Sequence, residues 1–244
     1  MSDETEGDSV QEVQLNDKYL KKLQRQGVYF GAPNNLKAQY SIHAYKKLRT
    51  HTLLALELLQ AQSVLVTGPT VDVGKTIVSL NLAFNIAKLK KKRVILIDLD
   101  FRGSSMQSVL GINKDYGTER IADAEFSFNR ATTKIHGYEL RILTCAKRLL
   151  DSSEILLAPA TVARLKFFRS LSKDHIVIFD SPPILGCDDV AALLPSVEAA
   201  IMVVSEGSTS RRELSNAAEN LGSLPIISTV LNKSRDSNIR KYYY

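Results

Sequence analysis

Glycine, lysine and threonine stand in direct succession at Gly74-Lys75-Thr76, between a short apolar run at residues 63–67 and a helix-patterned stretch from 75 to about 90. Those residue types suit a polyphosphate. The first backbone N–H groups of a helix have no partner within it, and the helix dipole favours anions there. Gly74 lets the backbone approach closely, Lys75 can reach the outer phosphates, and the Thr76 hydroxyl can ligate a divalent cation. Val73 and Ile77 complete the stretch expected to line a nucleotide. A strict GxxxxGK(S/T) spacing would put glycine at 69. This chain has Pro69, with Gly68 one residue early, and Val71, Asp72 and Val73 where phosphate loops commonly carry glycines.

Three carboxylates follow. Asp98 and Asp100 close the run VILIDLD, and Asp180 closes IVIFD ahead of Ser181-Pro182-Pro183. Both runs are continuously apolar, the pattern of parallel strands covered on two faces. The acids then fall at C-terminal strand ends, the rim where open α/β sheets bind ligands. Buried unpaired carboxylates are costly, so several at one rim invite a cation. Mg2+ takes oxygen ligands and keeps several waters, which suits Thr76, one or two of these acids and phosphate oxygens. The bland alternative is that the acids cap loops or pair with Arg102.

The elements that must position these groups can be read from periodicity. Residues 36–60 pattern as a helix with Tyr45, Leu48, Leu56 and Leu59 available to pack, and 63–67 as a short buried strand. In the helix from Lys75, Ile77, Leu80, Phe84 and Ala87 recur at three- and four-residue steps and predict one buried face. Strands are expected at 94–98, 140–144, 176–180, 200–204 and 226–231, with helices at about 159–171 and 210–221. The alternation predicts an α/β fold, a doubly wound, mostly parallel sheet with helices on both faces. Residues 1–35 are polar and end in a Gly-Ala-Pro-Asn-Asn break, which predicts a flexible leader; the folded domain is expected over 36–232 and a flexible tail over 233–244.

With 244 residues, 44% hydrophobic and 24% charged, the chain is long enough to bury a core as one domain. No apolar run approaches the roughly 20 residues that span a bilayer, and the acidic N-terminus lacks an apolar signal core, so a cytoplasmic protein is expected. Cys145 and Cys187 lie outside any metal or disulfide spacing and read as reduced thiols; His43, His51, His136 and His175 are scattered. The run Lys88, Lys90, Lys91, Lys92 and Arg93 suits a solvated helix C-terminus, with an anionic lipid surface or acidic partner as the second reading. It lacks the interleaved aromatic residues of a base-stacking surface, so no nucleic-acid partner is expected.

The phosphate loop TGPTVDVGKT, the motif LIDLDFR, the FDSPP motif, the stretches VSEGSTSRRE and VLNKSR, and the terminal Lys241-Tyr242-Tyr243-Tyr244 together carry a resemblance over residues 40–244. The chain resembles bacterial tyrosine kinases of the exopolysaccharide and capsule synthesis type, within the MinD- and ParA-like P-loop ATPases. That resemblance implies a P-loop fold that uses ATP and Mg2+. It implies Asp98 and Asp100 as the paired acids serving magnesium and the acceptor hydroxyl, Asp180 as a third metal-site acid, and Asn232 against adenine. Tyr242, Tyr243 and Tyr244 would be autophosphorylated, in trans within a homo-oligomer. The family's self-association helix shows E-x-x-R-x-x-R, whereas His43, Lys46 and Arg49 stand at those positions here. A membrane polysaccharide co-polymerase would be the activating partner, holding the kinase at the inner face of the cell membrane. A MinD- or ParA-like ATPase switch and a non-catalytic docking module are the alternatives.

Overall fold

The computed structural model describes residues 10–30 and 35–234. Its strands are β1 Gln11–Val13, β2 Ser63–Thr67, β3 Arg93–Asp98, β4 Thr132–Ile135, β5 Leu140–Leu143, β6 His175–Asp180, β7 Ala199–Ser205 and β8 Ile226–Asn232. Its helices are α1 Asp17–Arg25, α2 Leu36–Leu58, α3 Lys75–Ala87, α4 Met106–Leu110, α5 Phe128–Ala131, α6 Ser152–Leu157, α7 Pro159–Arg169, α8 Asp189–Leu193 and α9 Arg211–Asn220. The strands form one sheet in the order β1-β4-β5-β3-β6-β2-β7-β8. Pairing is parallel throughout except between β4 and β5, a hairpin whose turn holds Gly137 at φ 76°.

Side chains alternate between sheet faces, and both faces are covered. Val64, Val66, Leu96 and Ile178 join α1, α2, α3 and α4 in one core. Leu65, Ile97, Val177 and Phe179 join Leu156, Leu165, Val190 and Ala217 of α6, α7, α8 and α9 in the other. This is the doubly wound sheet expected from the continuous apolar runs, with ends within a residue or two of their expected positions.

Three expectations need correction. The segment ahead of residue 36 is not a bare leader across its described part. Strand β1 pairs parallel with β4, and Leu23, Val28 and Phe30 lie buried in the first core. Charged residues make α1 polar on average, yet Leu20 and Leu23 still fall on its inner side, and the Asn16 side chain caps it by accepting the Tyr19 N–H at 2.9 Å. Helix α3 is buried around nearly its whole circumference, with α2 on one side and the sheet on the other; Thr76 and Ile77 in its first turn are partly buried. Leu59, the C-cap of α2, is exposed, and the buried face of the helix runs through Tyr45, Leu48, Thr52 and Leu56.

Asn81 of α3 fastens the N-terminal segment to this helix. Its amide donates to the carbonyls of Gly27 at 2.9 Å and Ile77 at 2.8 Å and accepts the Tyr29 N–H at 2.7 Å. Asn81→Leu leaves two of those backbone groups without their partner in a buried setting. It should lower unfolding stability by about 2–4 kcal/mol in urea denaturation and expose residues 10–30 to limited proteolysis.

Candidate nucleotide and phosphoryl-transfer site

The site forms where β2, β3 and β6 end beside the N-terminus of α3. Strand β2 leads into Gly68, where a Cβ would stand 2.5 Å from the Val203 carbonyl oxygen and 2.6 Å from Val73 Cγ2. Glycine is therefore a packing requirement at 68, one residue ahead of the strict spacing. The loop then swings out, with Val71 and Asp72 exposed and Asp72 at φ 57°, before Val73 turns back into the core. Gly74 opens α3 at φ 93°, and a Cβ there would meet Asn232 Nδ2 at 2.1 Å. Both facts demand glycine.

Lys75 is only 6% exposed, and Thr76 beside it is partly buried. Helix α3 thus presents a cation, a hydroxyl and unpaired N–H groups at its N-terminus, as expected for anion binding.

Parallel pairing of β3 with β6 sets Asp98 directly opposite Asp180. Asp100 follows two residues beyond the end of β3, and all three acids are buried. Asp98 accepts the Ser104 hydroxyl at 2.7 Å, the Asp100 N–H at 3.2 Å and the Cys145 N–H at 3.4 Å. Asp100 accepts the Gly103 N–H at 2.8 Å. Asp180 accepts the Ser79 hydroxyl at 2.9 Å on Oδ1, while its buried Oδ2 has no hydrogen-bond partner among the described residues. Arg102 is not the partner of this trio: it reaches Asp189 at 3.4 Å and the Ser152 hydroxyl at 2.8 Å, and Ser152 in turn donates to Asp189 at 2.5 Å.

Burial pushes the Asp98 carboxyl well above its ordinary value, with the Asp180 charge next in importance. Burial also raises Asp180, to about 6, against the opposing pull of the Thr76 hydroxyl, the Lys75 ammonium and Ser79. A pair of facing carboxylates with one orphaned oxygen is a site short of positive charge. That fits Mg2+, whose coordination is completed by water and phosphate. It does not need a protein-only cage, and no three His, Cys, Asp or Glu side chains converge as one among the described residues. Cys145 and Cys187 are free, and burial raises both thiols.

Asn232, at the end of β8, does not reach away from the loop: its Nδ2 donates to the Val73 carbonyl at 2.9 Å. Ser79, Ser104 and Lys233 also touch the site's residues and were not singled out from sequence. Only Ser79 carried a signal, four residues past Lys75 and so on the same helical flank. Tyr242, Tyr243 and Tyr244 lie outside the described residues. The basic run lies at the other end of β3. There Lys88 and Lys90 sit over the Phe30 and Tyr138 rings, Lys92 donates to the Lys173 carbonyl, and Arg93 pairs with Asp174 at 3.6 Å.

Residues 64–243 match the CobQ/CobB/MinD/ParA nucleotide binding domain. Tyrosine-protein kinase YwqD of Bacillus subtilis (strain 168) is 26% identical over 230 residues, covering 91% of this chain and 92% of the relative. Tyrosine-protein kinase etk of Escherichia coli (strain K12) is 26% identical over 186 residues, covering 75% of this chain but 25% of the relative, so the chain spans about a quarter of that longer protein. The solved kinase domain of Escherichia coli tyrosine kinase ETK superposes with a TM-score of 0.74 at 24% identity, covering 95% of this chain and 92% of that one. The septum site-determining protein MinD of Pyrococcus horikoshii OT3, solved with Mg-ADP, shares the fold at a TM-score of 0.55 and 19% identity, covering 72% of this chain and 71% of that one.

Proposed function

Because the chain belongs to the CobQ/CobB/MinD/ParA nucleotide-binding family, we propose that it is an ATP-dependent protein-tyrosine kinase that transfers the γ-phosphoryl group of ATP to its own tail tyrosines, Tyr242, Tyr243 and Tyr244. The observation that carries this reading is the facing of Asp98 and Asp180 across β3 and β6 at the strand ends next to Lys75. The kinase relatives named above support the choice of acceptor.

In this reading the N–H groups at 73–77 and the Lys75 ammonium hold the phosphates and offset charge on the transferring group. Asp98 accepts the phenol proton as the tyrosine oxygen bonds to the γ-phosphorus and the bond to the β-phosphate oxygen breaks, releasing ADP. A tyrosine hydroxyl ordinarily titrates near 10, so it needs such an acceptor at neutral pH. Burial favours this role by making Asp98 more basic than an exposed carboxylate. Thr76, Asp100 and Asp180 would hold Mg2+, which neutralises phosphate charge when bound. Each phosphate adds roughly −1.5 to −2 charge at pH 7, so a modified tail leaves an acidic site.

Residues 232–242 can extend ~30 Å at ~3.3 Å each, enough to enter a second copy's site, which supports trans-phosphorylation within a homo-oligomer as the route. No helix among the described residues is long and apolar enough to cross a membrane. Attachment at the inner face of the cell membrane would come through a polysaccharide co-polymerase that also activates the kinase, in exopolysaccharide synthesis or export.

Intact-mass analysis of the full chain with Mg-ATP tests the reading, beside Asp98→Asn and a variant carrying Tyr242→Phe, Tyr243→Phe and Tyr244→Phe. Added phosphates on the wild type that vanish in both variants are expected. ATP consumption without added mass, in the presence of the membrane activator, would instead assign a MinD-like switch that hydrolyses ATP to water.

A further inference from the structure

Two successive residues at the end of β8 hold two successive carbonyls of the phosphate loop. Asn232 Nδ2 donates to the Val73 oxygen at 2.9 Å, and Lys233 Nζ donates to the Asp72 oxygen. Asp72 and Lys233 both adopt left-handed backbone, at φ 57° and φ 55°. That conformation ordinarily belongs to glycine and is costly for other residues unless the surroundings enforce it. Position 72 is also one where phosphate loops commonly carry glycine. We infer that Lys233 is a positioning residue of the phosphate loop, holding by a side-chain clip a backbone shape that glycine would supply elsewhere.

The physical link is the planarity of the peptide unit. In a trans peptide the carbonyl of one residue and the N–H of the next point in opposite directions. Fixing the Asp72 oxygen toward Lys233 therefore aims the Val73 N–H the other way, and fixing the Val73 oxygen toward Asn232 does the same for the Gly74 N–H. Those are the first two donors of the stretch that binds phosphate. The ammonium of Lys233 also brings a positive charge to a loop that carries the acid Asp72. The clip sits at the root of the tail, so the loop and the tyrosine-bearing segment share one anchor. This inference rests on the reading of residues 73–77 as a nucleotide site.

Calorimetric titration of the full chain with Mg-ADP tests it in the wild type, Lys233→Ala, Asp72→Gly and the double variant. Lys233→Ala should weaken binding about tenfold, with the melting temperature of the nucleotide-free protein unchanged. Alanine has the same left-handed cost as lysine at 233, so the loss reports the ammonium. Asp72→Gly should bind at least as well as wild type, and adding Lys233→Ala to it should cost less than twofold, because glycine adopts the loop shape unaided. Equal losses in the two backgrounds would reduce Lys233 to an added surface charge and overturn the inference. So would unchanged affinity in Lys233→Ala while the wild type binds. Absence of binding by the wild type would overturn the nucleotide reading itself.

Discussion

Lys75→Met should lower phosphoryl transfer to the tail by at least about three orders of magnitude, measured as the initial rate of phosphotyrosine formation in Mg-ATP. The lysine is buried at the start of α3, where unpaired N–H groups already favour anions. A cation there acts on phosphate charge in a partly desolvated setting, where it is worth more than in water. It also acts on the protein: its ammonium lowers the Asp180 carboxyl. Without it Asp180 titrates still higher. A carboxylate whose folded value is raised contributes stability below its unfolded value and loses it as pH rises through the folded one. The methionine variant should therefore match the wild type in melting temperature near pH 5 and fall progressively below it between pH 6 and 8. Lys75→Arg keeps the charge but exchanges a compact ammonium for a planar fork, and should retain the pH profile while still losing most of the transfer rate.

The central strands were legible because burial on both faces demands continuous apolar runs, and VILID and IVIFD are such runs. The turn that opens α3 was legible because its signal is local, a strand, a glycine, a cation and a helix in sequence. Other features were not, for two physical reasons. Strand β1 has three residues and β4 four, too few for a period to show, while the apolar stripe of α1 at Tyr19, Leu20 and Leu23 is short and was outweighed by the polar composition of residues 1–35. The rest depends on contacts between distant segments. That Asp98 faces Asp180 is a consequence of register, which no single strand specifies. That Arg102 serves Asp189 and Ser152 rather than the nearby acids depends on how the loops after β3, β5 and β6 meet. The Asn232 and Lys233 contacts with the loop are likewise invisible until β8 is laid on the sheet edge, since nothing near 72 in sequence announces a lysine more than 150 positions away.

Asp180→Asn should abolish Mg-dependent phosphoryl transfer and at the same time stabilise the nucleotide-free protein. The carboxylate is fully buried, faces Asp98, and leaves Oδ2 without a hydrogen-bond partner among the described residues. Its folded value of about 6 lies above the ordinary carboxylate range because burial outweighs the help of Thr76, Lys75 and Ser79. Above pH 6 the native state therefore carries a charge that the unfolded chain holds more comfortably in water, a difference of about 2–3 kcal/mol. Asparagine keeps an oxygen for the Ser79 hydroxyl and removes the charge. The gain in stability should be largest at pH 7–8, shrink as pH falls from 6 through 4, and disappear near 3, below the unfolded value, where aspartate is protonated in both states. Differential scanning calorimetry across that range would show it as a rise of several degrees in melting temperature at pH 7.5 and none near pH 3. Adding Mg-ADP should reverse the order, because the wild type gains stability from binding a cation that its acids were short of, while the variant gains little. A variant less stable than wild type at pH 7.5 would mean that Asp180 is already compensated by its protein neighbours. The same carboxylate would then be an ordinary structural acid, and the case for a cation beside Lys75 would have to stand on Asp98 and Asp100.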